Sequence, residues 1–591
     1  MLNAAPRRGI AQFTLPRHAR LVTDPTIRRA WTLGAVFFLC ALVIIGRLFY
    51  LQVVRHEYFM SLAAKAQDAY RELEPDRGSI FVRERGVEYP IVTNRTYYLV
   101  VANPSKVSNP GRVVDMLATV LDLTPEQWPP IAAKLSRRSD PYEPLWRKVT
   151  KEQVEKIRAA ALPGITDVRE SYRYYPEPGF SGQLLGFTGF SGDRRVGRYG
   201  LEGYFERELA GAAGSERGVA DAYGRPLAIG ERSLQEARDG DDLVLTVDRA
   251  VQIAACDRLR QGVATFEAQG GTVIVLQPST GAVLAMCSVP NFDPERYAEA
   301  KDPSVYNNPA IFEAYEPGSV FKPITMAAAI DRGAVKPQDV YEDTGEIKLA
   351  NGKRIRNSDL QAHGTQTMVQ VLEKSLNTGA VYVVTKTGNE AFHRYVQDFG
   401  FGKPTGVTLD AEVAGNISSL DRRGDIYAMT ASFGQGITVT PLQLAAAFGV
   451  LANNGTLMRP YIVAERRHAD GSVVKTAPQA IRQVVTGRTA STVTGMLVQA
   501  LEGAYDHKAK LAGYYVAGKT GTAQIADPSG GYGEEVNHTF IGYFPAYKPA
   551  FVIVVKLDRP TKVKHAADST TVIFRQLGEF LVDYFQLPPQ R

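Results

Sequence analysis

Cysteine is almost missing from this chain: Cys40, Cys256 and Cys287 are the only three in 591 residues. An odd count with no C-x-x-C spacing implies neither a disulfide framework nor a cysteine zinc site, so all three are expected to act as small packing residues. Histidine is also sparse, with eight scattered residues. The nearest approach to a zincin helix, His56-Glu57-Tyr58-Phe59-Met60, carries Met60 where the second ligand should stand. No metal and no cofactor are expected. A large excess of one sign of charge is lacking too. A formal net charge of +6 is small for this length, and no dense basic patch interleaved with aromatics suggests a nucleic-acid groove, so nucleic acid is excluded as a partner. There is no internal repeat and no low-complexity tract. What remains is a globular composition, 45% hydrophobic and 22% charged, in a chain long enough for about two to four folded units.

One long apolar run is present. Residues 31–54, WTLGAVFFLCALVIIGRLFYLQVV, contain Arg47 as their one charge. A helix of that length is roughly 36 Å long, enough to cross a hydrocarbon core of about 30 Å. The thirty residues before it carry Arg7, Arg8, Arg17, Arg20, Arg28 and Arg29 against the single acid Asp24. The positive-inside rule therefore predicts a cytoplasmic tail over 1–30, one transmembrane helix over 31–54, and the bulk of the chain outside the inner (plasma) membrane. A cleaved signal peptide is disfavoured, because the run is too long for an h-region and no small-x-small site follows. Arg47 is costly in such a helix; it must either reach the outer interface or pair with a group on another helix.

The exported part divides by composition. Residues 55–240 are rich in Tyr, Arg and Pro and mix β-like runs (TYYLVVA) with helical ones (KEQVEKIRAAAL), as an elongated scaffold without an obvious site. The charged stretch EARDGDD (236–242) then separates it from a second domain, 241–591. That domain opens with LVLTVD and an amphipathic helix capped by Asp248, with Cys256, Leu259, Val263 and Phe266 on one face. Two apolar runs joined by Pro278-Ser279-Thr280-Gly281 read as a hairpin. YYVAGKTGTAQ, HTFIGYFP and FVIVVKL read as three more strands near the far end, and STTVIFRQLGEFLVDYF as a closing helix. The expected fold is α+β: a five-stranded antiparallel sheet flanked by helices, with an all-helical insert between strands two and three.

Three short motifs carry chemistry. Ser319-Val320-Phe321-Lys322 follows the chain break Pro317-Gly318 at the start of an Ala-rich helix. At i and i+3 the serine and lysine share a face, so a partly desolvated amine can take the hydroxyl proton and make a nucleophile. Alone the motif is weak. Ser472-Val473-Val474-Lys475 matches it by chance, since it follows the turn Ala469-Asp470-Gly471, where strand geometry sends Ser and Lys to opposite faces. Ser375-Leu376-Asn377, the only S-x-N in the chain, follows a helical run; its hydroxyl and carboxamide can relay a proton and hold a peptide group. Lys519-Thr520-Gly521-Thr522 lies on a strand that can pair with an extended peptide, with glycine permitting close approach and Lys and Thr binding a carboxylate from an exposed cleft rim. Gly513 to Thr520 also satisfies G-x-x-x-x-G-K-T, the P-loop pattern. That rival fails on context, because strand-forming YYVA stands between the glycines and AQIADPSGGYGEE cannot begin the helix that holds phosphate.

S-x-x-K, S-x-N and K-T-G in this order resemble the penicillin-binding transpeptidases and serine β-lactamases. Arg77-Gly78-Ser79-Ile80, Tyr174-Tyr175-Pro176 before Gly179, and Gly200-Leu201-Glu202-Gly203 extend the resemblance to class B, monofunctional penicillin-binding proteins; β-lactamases are much shorter and lack the anchor and scaffold. Within the class the chain looks most like division-specific members such as penicillin-binding protein 3, since the second motif ends in Asn377, although Leu376 departs from the common Ser-Ser-Asn. The resemblance implies that Ser319 attacks between the last two D-alanines of a peptidoglycan stem peptide, that Lys322 takes its proton and that Ser375 protonates the leaving amine. It implies also that Asn377, Lys519, Thr520, Gly521 and Thr522 hold the substrate or a β-lactam. The implied partners are a membrane-embedded glycan polymerase and other division proteins. An elongation-specific transpeptidase and a non-catalytic β-lactam sensor are the alternatives.

Overall fold

The computed structural model describes residues 25–55, 68–192, 194–219, 233–349, 352, 354–503, 508–527 and 531–591. Most of the expected cytoplasmic tail and the His56–Met60 run lie outside the described residues. The chain forms two compact units, one of residues 1–73 with 214–236, the other of 74–213 with 237–591.

The first unit contains helix α1 (Pro25–Phe49), extended by a wider turn over Tyr50–Val54. Nearly every side chain from Trp31 to Val54 is exposed, as a helix meant for lipid requires. The Arg47 guanidinium lies over the Tyr50 ring at 5.6 Å, so its aromatic partner is on its own helix. The same unit holds a three-stranded antiparallel sheet of Asp68–Leu73, Gly214–Val219 and Ser233–Gln235.

In the second unit the TYYLVVA run belongs to the long strand Val87–Ala102, which pairs with Ile80–Glu84, Glu143–Val149 and Ile165–Tyr174. The KEQVEKIRA helix beside it starts at a Thr150/Gln153 capping box and buries Val154 and Ile157. Two scaffold motifs far apart in sequence meet here. Glu202 is fully buried and receives Arg77 at 2.5 Å and Arg173 at 2.6 Å. Burial alone would raise its carboxyl, but the two guanidiniums outweigh that and hold it below the usual range. The EARDGDD stretch at the expected boundary is hydrogen-bonded to the scaffold. Asp239 accepts from the Asp76 amide at 2.8 Å and Asp242 from the Ser79 amide at 2.6 Å, so its acids stitch it to the scaffold. The strand Asp242–Asp248 then lies parallel to Ile80–Glu84.

Helix α2 (Arg249–Thr265) follows, with Asp248 accepting from the Val251 amide at 3.1 Å as the expected N-cap. Strands β1 (Gly270–Leu276) and β2 (Val283–Val289) form the expected hairpin. Within the mainly helical segment that comes next lie α3 (Lys322–Asp331), α4 (Met368–Glu373) and α5 (Asn377–Thr387). The chain closes with β3 (Ala517–Ala526), β4 (Tyr532–Phe544), β5 (Phe551–Asp558) and α6 (Thr570–Phe585). The five strands run antiparallel in the order β2-β1-β5-β4-β3, which leaves β3 at an edge. Helices α2 and α6 bury Leu259, Phe574 and Leu577 on one face against Val273, Phe540 and Val555. The opposite face, with Ile274 and Ile541, packs on the helical insert through Phe321 and Phe448.

The packing of α2 on β2 overturns one expectation. Cys256 and Cys287 are joined in a disulfide, with Cα atoms 5.5 Å apart, so they staple helix to sheet and are not merely packed. A sequence separation of 31 hid this neighbourhood, because adjacency across a helix–sheet contact has no sequence spacing of its own. Such a bond suits an exported domain.

Candidate active site

Ser319 sits in a 3₁₀ turn, Gly318–Phe321, that feeds α3 at Lys322. Side chains at i and i+3 eclipse in a 3₁₀ turn, and Lys322 Nζ stands 3.0 Å from Ser319 Oγ. Lys322 as a whole is 1% exposed. Its pKa falls well below the ordinary lysine value, first through burial and then through the nearby positive charge of Lys519. A neutral amine has a lone pair to accept the Ser319 proton.

Ser375 occupies the turn between α4 and α5 with φ +56°. That left-handed backbone is strained for a non-glycine residue, and it aims two groups at the same amine. Lys322 Nζ contacts both the Ser375 carbonyl oxygen and Ser375 Oγ, the latter at 3.1 Å. Lys322 therefore lies between the two hydroxyls. Leu376 is 1% exposed; the middle position of this S-x-N points into the core, which accounts for an apolar residue there. Asn377 opens α5 and donates from Nδ2 to the Arg356 carbonyl at 2.8 Å, which orients its carboxamide.

On β3, alternation puts Lys519 and Gly521 on the face of the helical insert and Thr520 and Thr522 on the face that carries Phe540 and His538. Lys519 is not on an exposed rim: it is 2% exposed, and Nζ meets the Thr520 carbonyl at 3.2 Å and Thr520 Oγ1 at 3.3 Å. The insert covers its stem, which strand periodicity cannot foretell. Gly521 lies where β3 crosses the serine turn, and a Cβ there would be 3.0 Å from the Pro317 oxygen and from Val320. Thr522 is exposed, with Oγ1 accepting from the Ala566 amide at 3.1 Å. Among the described residues β3 pairs only with β4, which makes it an edge strand, the position from which a strand can pair with an extended peptide.

Two supporting arrangements carry no motif signal in the sequence. Behind Asn377, buried Thr378 donates to Asp343 Oδ1 at 2.7 Å, and Asn357 donates to both Asp343 oxygens at 3.1 and 2.9 Å. Burial raises the Asp343 carboxyl, but these bonds outweigh it and hold the group below its ordinary value. Beside Ser319, the Gly318 amide donates to the Gly434 carbonyl at 3.0 Å, and Glu316 accepts from the Gly436 amide at 2.9 Å and from the Tyr532 hydroxyl at 3.0 Å. The chance match Ser472–Lys475 has none of this; Ser472 bonds Asp470 in an exposed turn and Lys475 points to Glu465. The P-loop reading also fails in the structure, since Lys519-Thr520 continues as strand to Ala526 with no helix.

A hydroxyl beside a buried amine that can take its proton, next to a strand edge that can align a peptide carbonyl, is an arrangement suited to acyl transfer, so fold and site define the class of serine acyltransferases. The chain belongs to the penicillin-binding protein family of serine D,D-transpeptidases: residues 271–579 match the penicillin binding protein transpeptidase domain and residues 72–245 the penicillin-binding protein dimerisation domain. It is 35% identical over 547 residues to Stage V sporulation protein D of Bacillus subtilis, spanning 91% of this chain and 83% of the relative. It is 28% identical over 535 residues to the peptidoglycan D,D-transpeptidase FtsI of Escherichia coli K12, covering 88% and 86%. Among solved structures, a peptidoglycan synthetase from Bifidobacterium adolescentis aligns with a TM-score of 0.70 at 25% identity over 89% of this chain and 98% of that one. Penicillin-binding protein 2X of Streptococcus thermophilus aligns at 0.74 and 21% identity, covering 87% and 80%, a likeness of fold. Cell-wall cross-linking is thus the activity of the class, with peptidoglycan as substrate and β-lactam sensitivity following from membership.

Proposed function

We propose that this chain cross-links stem peptides at the division septum, with Ser319, Lys322 and Ser375 as its catalytic residues. The observation that carries the reading is the single amine of Lys322 held 3.0 Å from Ser319 Oγ and 3.1 Å from Ser375 Oγ. Ser319 Oγ attacks the carbonyl between the last two D-alanines while its proton passes to Lys322. The oxyanion is held by the Ser319 and Thr522 amides. On collapse the C–N bond breaks, the proton travels through Ser375 to the departing D-alanine amine, and an ester remains on Ser319. The amine of a second stem peptide then attacks the ester, forms the cross-link amide and returns the proton to Ser319. Asn377 holds the stem-peptide amide, and Lys519, Thr520 and Thr522 orient the terminal carboxylate.

The division reading is supported by Asn377 at the end of the second motif and by the likeness to FtsI along most of the chain. A role in a sporulation wall is the second reading, favoured by the 35% identity to a sporulation protein. In either case α1 anchors residues 55–240 and the catalytic residues 241–591 outside the plasma membrane with the tail inside. Helix α1 and the scaffold around Arg77-Gly78-Ser79 dock on a membrane-embedded glycan polymerase among other division proteins. Depleting the chain in growing cells of its host is the test. Filaments with arrested septa are expected; normal division with defective spores would select the second reading, and rounded cells an elongation role.

A further inference from the structure

His538 lies on β4 directly across from Thr522 of β3. Its ring is fully buried and both nitrogens are engaged, Nε2 with the Lys564 carbonyl at 3.2 Å and Nδ1 with Ser569 Oγ at 2.8 Å. A carbonyl only accepts, so Nε2 carries the proton and Nδ1 accepts from the Ser569 hydroxyl. Burial pushes the ring down to about 4, with His565 pushing the same way and Asp568 opposing, so the imidazole is neutral near pH 7. The ring therefore bonds both ends of the segment 564–569. Between those ends, Ala566 donates its amide to Thr522 Oγ1 at 3.1 Å. With that bond made, the Thr522 hydroxyl keeps its own proton to donate, and the side chain is exposed at the cleft strand.

We infer that His538 is a positioning residue for substrate recognition: an imidazole clamp on 564–569 that fixes the Ala566 amide and, through it, the direction in which Thr522 donates to the substrate carboxylate. An apolar residue would fill the same space but would bond neither Lys564 nor Ser569. The inference rests on the proposed carboxylate role of Thr522, and the test separates the two.

The experiment measures acylation rate constants of the full-length chain with benzylpenicillin and with its methyl ester, which lacks the carboxylate. His538→Asn, and Ser569→Ala, which leaves the ring in place, should each slow acylation by the free acid about three- to thirty-fold, the loss of roughly one hydrogen bond. Acylation by the ester should change less than about twofold, and in a Thr522→Ala background the two substitutions should add nothing further. Equal slowing of acid and ester, effects that multiply with Thr522→Ala, or no effect in either variant would overturn the clamp. An unchanged acid rate in Thr522→Ala alone would overturn the carboxylate role of Thr522, and the clamp with it.

Discussion

Lys322 and Lys519, two cations by composition, are both buried at one site, and the charge of Lys519 helps keep the Lys322 amine unprotonated. The desolvated pair explains how a side chain that is ordinarily protonated can be a base for Ser319. It also changes what Lys519 substitutions should do.

Lys519→Met removes a positive charge that disfavours protonated Lys322. The pKa of Lys322 then rises, and protonation of the base sets in at higher pH. The acid limb of the acylation pH profile should move upward in pH, and the plateau should fall about ten- to a few hundred-fold from loss of one charged contact of roughly 1.5 to 3 kcal/mol. Because Lys519 is buried, replacing it with an apolar residue of similar volume should be neutral or stabilising. Stopped-flow acylation with a chromogenic cephalosporin across pH, beside thermal melts, checks both; an unmoved acid limb would uncouple the lysines.

Gly521→Ala should spare the fold and damage the site. The added Cβ would stand 3.0 Å from the Pro317 oxygen and from Val320, tighter than ordinary contact, so β3 must shift from the serine turn. A displacement near 1 Å at a reacting centre costs on the order of a hundredfold. Unchanged acylation would mean the strand does not need that approach.

Replacing both Cys256 and Cys287 by Ala should lower stability by about 2 to 4 kcal/mol, the usual range for removing a disulfide. Acylation of the still-folded protein should be unaltered, since the bond links α2 to β2 and neither carries a proposed site residue. Denaturant unfolding of the variant, and of the parent with and without reductant, measures this.

His538 should make stability fall on the acid side. Its folded value of about 4 lies below the ordinary 6.5. Between those values the unfolded chain binds a proton that the folded one refuses, so stability is full above about pH 6.5 and declines as pH drops toward 4, by up to about 3 kcal/mol. His565 and Asp568 face the ring and are common to both proteins when the parent is compared with His538→Gln. The variant should lose the parent's slope across that window; parallel curves would show that the ring does not titrate there.

The features legible in the sequence were those with local signatures. Pro-Ser-Thr-Gly marked the β1–β2 hairpin, Asp248 the start of α2, and the apolar runs the five strands. Ser319 and Lys322 were legible as a pair because i and i+3 meet by local geometry alone. Features made by long-range packing were not. The Cys256–Cys287 bond, the burial of Lys519 and the Asp343–Asn357–Thr378 network depend on which surfaces the helical insert and α2 cover, and none of those residues has a spacing that encodes its neighbour. The acids of EARDGDD accept amides from Asp76 and Ser79, 163 residues earlier, a pairing that the composition of the stretch does not encode.

The central claim is that Ser319 alone carries the acyl group. Intact-protein mass spectrometry after incubation with benzylpenicillin tests it most directly. The parent and Ser472→Ala should each gain the mass of one penicilloyl group, and Ser319→Ala none. An adduct that persists in Ser319→Ala would contradict the account.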